Sequence, residues 1–153
     1  MNVKKHILIV SMLLIGLFMT NCASLNQISI EYEKDLGSVS WPSHELEKKF
    51  LHYWTLRSNK DYASSFKMEA PYLQEIVPMP IYEMAIGKKT TIEKIKILRF
   101  QMETSAFYSI AILLEVHSEK QQIKKVFLND LWVKTNETWY HVIKDPIMKK
   151  IFP

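Results

Sequence analysis

In the segment SAFYSIAILLEVHSE, the residues Tyr108, Ile110, Ile112, Leu114 and Val116 share one parity and Ser109, Ala111, Leu113, Glu115 and His117 the other. Side chains alternate across a strand with a period of two, so one face of this segment is built to lie against a core. It belongs to a run of four such segments, TTIEKIKILRFQME, SAFYSIAILLEVHSE, QIKKVFLNDLWVKTN and TWYHVIKD, rich in β-branched and aromatic residues and separated by polar breaks. Connections this short join antiparallel neighbours, and the second half of the chain is therefore expected to be a meander.

Ahead of the meander the period changes. In WPSHELEKKFLHYWTLRSNKDY, Leu46, Phe50, Tyr53, Trp54 and Leu56 recur at near-helical spacing behind a Pro-Ser start, and Ser58 and Asn59 end the pattern. A shorter helix fits Asp61 to Glu69, with Asp61 at its positive end and Pro71 soon after its close. PMPIYEMAIGKK reads as one more short helix or a turn, closed by Gly87. Helices first and a sheet afterwards is an α+β plan: N-terminal helices packed on a curved antiparallel sheet of about four strands. Residues 41–153 form that domain, and 22–40 carry little periodicity and read as a tether, with a short strand at Ile28 to Tyr32 the only regular element in it. No internal repeat is visible.

At 153 residues, with 48% hydrophobic and 24% charged residues, the chain is one globular domain's worth of sequence. The formal charge of +4 loses weight once its placement is read. Lys4 and Lys5 lie in the leader, and the rest of the chain carries 18 basic against 16 acidic residues, interspersed as in ELEKKF and IEKIKI. That is the pattern of solvated faces, and it argues against a nucleic-acid partner. One Cys allows no internal disulfide and no Cys-rich zinc site, and the histidines lack the i, i+4 spacing of a helical zinc site. No metal or cofactor is expected. Three glycines leave no phosphate-cradling loop, and there is no GxSxG. The NET at Asn136 is read as turn chemistry.

The N-terminus, MNVKKHILIVSMLLIGLFMTNCAS, places a short cationic segment before thirteen residues, Ile7 to Met19, of which eleven are strongly apolar. A run of that length makes about 20 Å of helix, short of the roughly 30 Å hydrocarbon core, so it reads as a signal peptide over residues 1–21 and not as a span. MTNC resembles a bacterial lipoprotein lipobox, with Asn21 where Gly or Ala is usual. The resemblance implies a diacylglycerol on Cys22, cleavage before it, and attachment of a soluble domain to the cell envelope, with Ser24 and the lack of Asp at position 23 favouring the outer membrane, facing the periplasm.

Three stretches further on carry a second resemblance. FLHYWTLRSNKDYASSFKMEAPY looks like a first helical hairpin, IYEMAIGKK like a third helix and LNDLWVKTNETWYHV like a closing Trp-bearing hairpin of the nuclear transport factor 2-like superfamily, over about Trp41 to Pro146. The resemblance implies a cone-shaped domain with a pocket between helices and sheet. If the last turn is centred on Asn136-Glu137, Trp132 pairs with His141 and Lys134 with Trp139, which puts all four on one face. Tyr53, Tyr82, Tyr108, Asp130, Trp132 and His141 are the candidate pocket residues. An acid or phenol inside an apolar cup could act as base or oxyanion partner, as in ketosteroid isomerase-like or hydrolase-like members. Equally, Asp130 could mark a bulge, the tyrosines could be wetted core residues and His141 could lie on the outer face. The expected role is the binding of a small apolar ligand or of an envelope partner protein; an enzyme in the same pocket and a structural role in envelope assembly are the alternatives.

Overall fold

The structure, a computed structural model, describes residues 28–34, 41–86, 91–117 and 123–143. The leader, Cys22 and Gly87 lie outside the described residues, and with them the expectations of lipidation and of a glycine C-cap. Among the described residues no helix is long and apolar enough to cross a membrane.

Five strands form one open sheet in the order β1 (Ser29–Tyr32), β2 (Thr91–Thr104), β3 (Phe107–His117), β4 (Ile123–Thr135) and β5 (Thr138–Val142). β2 to β5 are the expected antiparallel meander. The strand count of about four is corrected to five, because β1 pairs parallel to the edge of β2, with Ile30 opposite Ile95. A parallel pair needs a long crossover. Here that crossover holds all four helices described: α1 (His44–Ser58), α2 (Tyr62–Phe66), α3 (Pro71–Ile76) and α4 (Met79–Ala85). The α+β plan holds. Part of the stretch read as a tether is sheet edge, and the helix expected to run to Glu69 stops at Phe66.

The parity of β3 is as the alternation requires: Ile110, Ile112, Leu114 and Val116 all enter the main core. β2 reaches the same core by a less regular route. Ile92 and Phe100 contact it from even positions and Ile95 and Ile97 from odd ones. Register shifts between Ile92 and Lys94 and between Ile97 and Arg99 reconcile the two, since each extra residue turns the following side chains to the opposite face.

α1 starts where its Pro-Ser predicts, with Ser43 Oγ accepting from the Leu46 N–H at 3.1 Å. It ends in a Schellman arrangement: the Asp61 N–H reaches the Leu56 carbonyl and the Lys60 N–H that of Arg57. Lys60 takes the left-handed position, φ 61°, where glycine is usual. The helix lays Leu46, Phe50, Tyr53 and Trp54 on Ile95, Ile97, Ile110, Ile112 and Trp132. A second, smaller cluster of Ala70, Leu73, Val77 and Tyr82 sits under α3 and α4.

Candidate functional site

The last hairpin positions the chemistry. Asn136 and Glu137 have φ of 49° and 62°, the two positive values of a type I′ turn, and this sets Trp132 opposite His141 and Lys134 opposite Trp139. Asp130, two residues before Trp132, lies on the same face. The other wall comes from a turn after α2. Met68 to Ala70 lie along β5, with the Ala70 N–H donating to the His141 carbonyl and the His141 N–H to that of Met68, both at 2.8 Å. That pairing delivers Glu69, fully buried, to the His141 ring.

His141 is held between two carboxylates. Nδ1 is 2.9 Å from both Glu69 oxygens and Nε2 is 2.8 Å from Asp130 Oδ1. Both ring nitrogens therefore face acceptors, which is the arrangement of an imidazolium. Burial works against the charged ring, but the Glu69 and Asp130 charges and their hydrogen bonds outweigh it and hold the His141 pKa up at about 9. The remaining acceptor capacity is also filled. Asp130 Oδ2 accepts from the indoles of Trp54 at 3.1 Å and Trp132 at 2.7 Å, and Glu69 Oε2 from the Ile143 N–H at 3.0 Å.

A chain of hydroxyls runs away from Glu69. Tyr53 donates to Glu69 Oε1 at 2.9 Å, accepts from Arg57 Nη1 at 2.8 Å and stacks its ring on His141 with centroids 4.0 Å apart. The Tyr82 hydroxyl meets Ser65 Oγ at 3.0 Å, while Ser65 donates to the Tyr62 carbonyl. With one proton per hydroxyl, Tyr82 is the donor to Ser65. Burial, reinforced by the Glu69 charge, pushes the Tyr82 phenol up to about 12 and the Tyr53 phenol well above its ordinary value. Both stay protonated and act as donors.

This arrangement is a closed network and not an acid-base pair in waiting. Below about pH 9, His141 has no lone pair to offer, and no hydroxyl stands against either of its nitrogens. Because the two nitrogens point to opposite sides, a single ion could not be ligated by Glu69, His141 and Asp130 through these contacts. Among the described residues no group of three His, Cys, Asp or Glu side chains is placed to hold a metal ion.

Beside the network lies a cavity of about 530 Å³ between the end of α1, the end of α4 and strands β2 to β5. Its wall is mostly apolar, with Ile92, Leu114, Val116, Val126 and Phe127 among the contributors. Arg57, Asp130 and His141 supply its charged end, with Trp54 beside them.

No family model matches the chain, and no curated protein does. Solved structures do. A SEC-C motif containing protein from Rhodopseudomonas palustris, solved in solution, superposes with a TM-score of 0.54 at 9% identity, over 63% of this chain and 74% of that one. A crystal structure of a SEC-C motif containing protein from Psychrobacter arcticus gives 0.53 at 11% identity, over 71% of this chain and 63% of the other, just under two thirds of its length. The likeness is one of fold. It corrects the family expectation: these two structures are of SEC-C motif containing proteins, a different fold family from the nuclear transport factor 2-like one, and nothing in these comparisons supports the lipoprotein assignment. The resemblance to the cone-shaped family rested on the order of helices and strands and on aromatic placement, which different α+β families share.

Of the six pocket candidates, the structure brings Tyr53, Tyr82, Asp130, Trp132 and His141 into one network, and only Asp130 and His141 also line the cavity. Tyr108 stands apart, packed edge-on against Trp139 at 5.6 Å. Glu69, Arg57, Ser65 and Trp54 complete the site without having been singled out in the sequence. Glu69 had a faint signal, as an acid between Met68 and Ala70-Pro71 with no basic neighbour one turn away. Trp54 and Arg57 lie on the helix already read as amphipathic.

Proposed function

We propose that this domain is a binding module whose cavity takes a small, mainly apolar molecule. The observation that carries the reading is the cavity itself: about 530 Å³, apolar along the sheet and polar at one end, the size and make-up of small-molecule sites. The rigid network behind it supports the reading, since Glu69, His141 and Asp130 tie α1, the turn after α2, β4 and β5 together and keep the space from collapsing. The neutral fluorophore N-phenyl-1-naphthylamine should bind saturably with a blue-shifted emission. Val126→Trp, at the half-exposed cavity wall, should abolish that binding while leaving the melting temperature in place. An absence of saturable binding, or equal binding by Val126→Trp, overturns the reading.

On the plan of the leader we also place the domain at a bacterial envelope membrane, held through acyl chains on Cys22. Incorporation of labelled fatty acid, lost in Cys22→Ala together with membrane retention, is the expected result. An unlabelled wild type overturns it.

A further inference from the structure

Along half its length β4 has no neighbour on its outer side among the described residues. β5 stops at Val142, opposite Leu131, while β4 extends back to Ile123. The direction of its backbone groups follows from one contact: the Lys134 N–H donates to the Ala106 carbonyl, on the β3 side, at 2.8 Å. Backbone groups alternate sides along a strand, so the even-numbered residues of β4 bond toward β3 and the odd-numbered ones point away from it. Val133 and Leu131 thus face β5, and Asn129, Phe127, Lys125 and Ile123 face the open edge. The cavity agrees with this, since it touches every residue from Val126 to Asp130, which a strand presents only along its edge.

Open edges are usually blunted by shortness or by bulges. The opposite edge is: β1 has four residues, and β2 beyond it is broken by register shifts. β4 has neither device. Its register with β3 is unbroken from Phe107 to His117, and Ile123, Val126 and Phe127 are exposed. Lys125, which could guard the edge, is drawn back to Glu115 of β3 at 3.6 Å.

The chain's own continuation does not complete the ladder. With Leu131 opposite Val142, β5 carried on in register would set Pro146 opposite Phe127, where an N–H is needed and proline has none. The stretch Ile123 to Asn129 is instead complementary to itself. Two copies laid antiparallel about Val126 bring Ile123 opposite Asn129, Lys124 opposite Leu128, Lys125 opposite Phe127 and Val126 opposite its own counterpart. Every outward-facing residue is then paired, giving about eight backbone hydrogen bonds, and each Lys125 stem covers an exposed phenyl ring. Moving the axis one residue either way sets Lys125 opposite Lys125, or runs Ile123 into Leu131, which β5 already occupies.

We propose that this edge joins two copies of the chain, β4 to β4 about a two-fold axis at Val126, so that their sheets become one. The proposal is independent of what the cavity holds.

The test uses the full chain in mild detergent, which the apolar leader requires, with its mass followed by sedimentation along a dilution series. The wild type should be a dimer that dissociates on dilution. Phe127→Pro removes an N–H that points away from β3 and should be monomeric throughout, with an unchanged far-ultraviolet spectrum. Crosslinking tests the register without relying on that variant. In a Cys22→Ala background, Val126→Cys places two thiols in a non-hydrogen-bonded pair with Cα atoms about 4.5 Å apart and should give a disulfide-linked dimer on mild oxidation. Lys124→Cys, whose two copies lie roughly 13 Å apart along the strands, should not. A wild type that is monomeric at every concentration overturns the proposal. So does a folded Phe127→Pro that dimerises as the wild type does, or crosslinking of Lys124→Cys as complete as that of Val126→Cys.

Discussion

Two parts of the interior touch through Trp54 and Trp132 and are built on opposite principles. Around Phe50, Ile95, Ile97, Ile110 and Ile112 the interior is wholly apolar, and its cohesion comes from area removed from water. A few ångströms away, Glu69, His141 and Asp130 are buried just as deeply and cohere through hydrogen bonds at 2.8 to 2.9 Å. The apolar part tolerates other apolar side chains of similar volume and shape. The polar part tolerates almost none, because each group is stable there only while its partner is present. The cavity lies where the two meet, with Ile92, Leu114 and Val116 of the apolar part on one side and Arg57, Asp130 and His141 on the other.

The largest effect should come from breaking the polar part. Glu69→Ala leaves the His141 imidazolium with one carboxylate and the Tyr53 hydroxyl and Ile143 N–H without their acceptor, and should lower the unfolding free energy by about 3–5 kcal/mol in urea titration. A loss near 1 kcal/mol would mean that the network is far less coupled than its geometry implies. Next is the pH dependence. The His141 pKa is about 9 in the folded protein against an ordinary value of 6.5, so the folded state holds a proton that the unfolded state releases between those values. The stability this provides is fully present below pH 6.5 and is lost as pH rises through 9, a decline of about 3 kcal/mol. Urea midpoints measured from pH 6 to 10 should show it, and His141→Gln should flatten the decline. A stability that rises over that range would contradict the assignment of the imidazolium. The smallest change should be in the apolar part, where Ile112→Val, fully buried, should cost about 0.5–1.5 kcal/mol with no change in the pH profile. If Ile112→Val alters the profile, the two parts are not separable.

The same division governs what could be read from the chain beforehand. The core face of β3, the Ser43 start of α1 and the pairing of Trp132 with His141 were all legible, because each depends on residues within one strand, one helix turn or one hairpin. The face changes along β2 were not, since its two register shifts come from pairing with β3 and leave no mark of their own in TIEKIKILRFQMET. Neither was the parallel placement of β1, whose partner in β2 lies on the far side of the four described helices. The fold-family expectation failed for a related reason: the order of elements is local information, while the packing that separates one α+β family from another is not.

Glu69 shows the limit most clearly. It stands 72 residues from His141, and beyond the lack of a basic neighbour one turn away nothing local marks it as buried. By itself the sequence determined the elements, the apolar face and, for a turn centred on Asn136-Glu137, the pairing of Trp132 with His141, because period and turn chemistry act over a few residues. Only the tertiary structure decided that this face meets a second carboxylate, that Arg57 stands at the cavity with one nitrogen unpaired, and that the imidazole between Glu69 and Asp130 is charged. Those properties depend on burial and on partners brought from distant parts of the chain, and neither exists until the chain has packed.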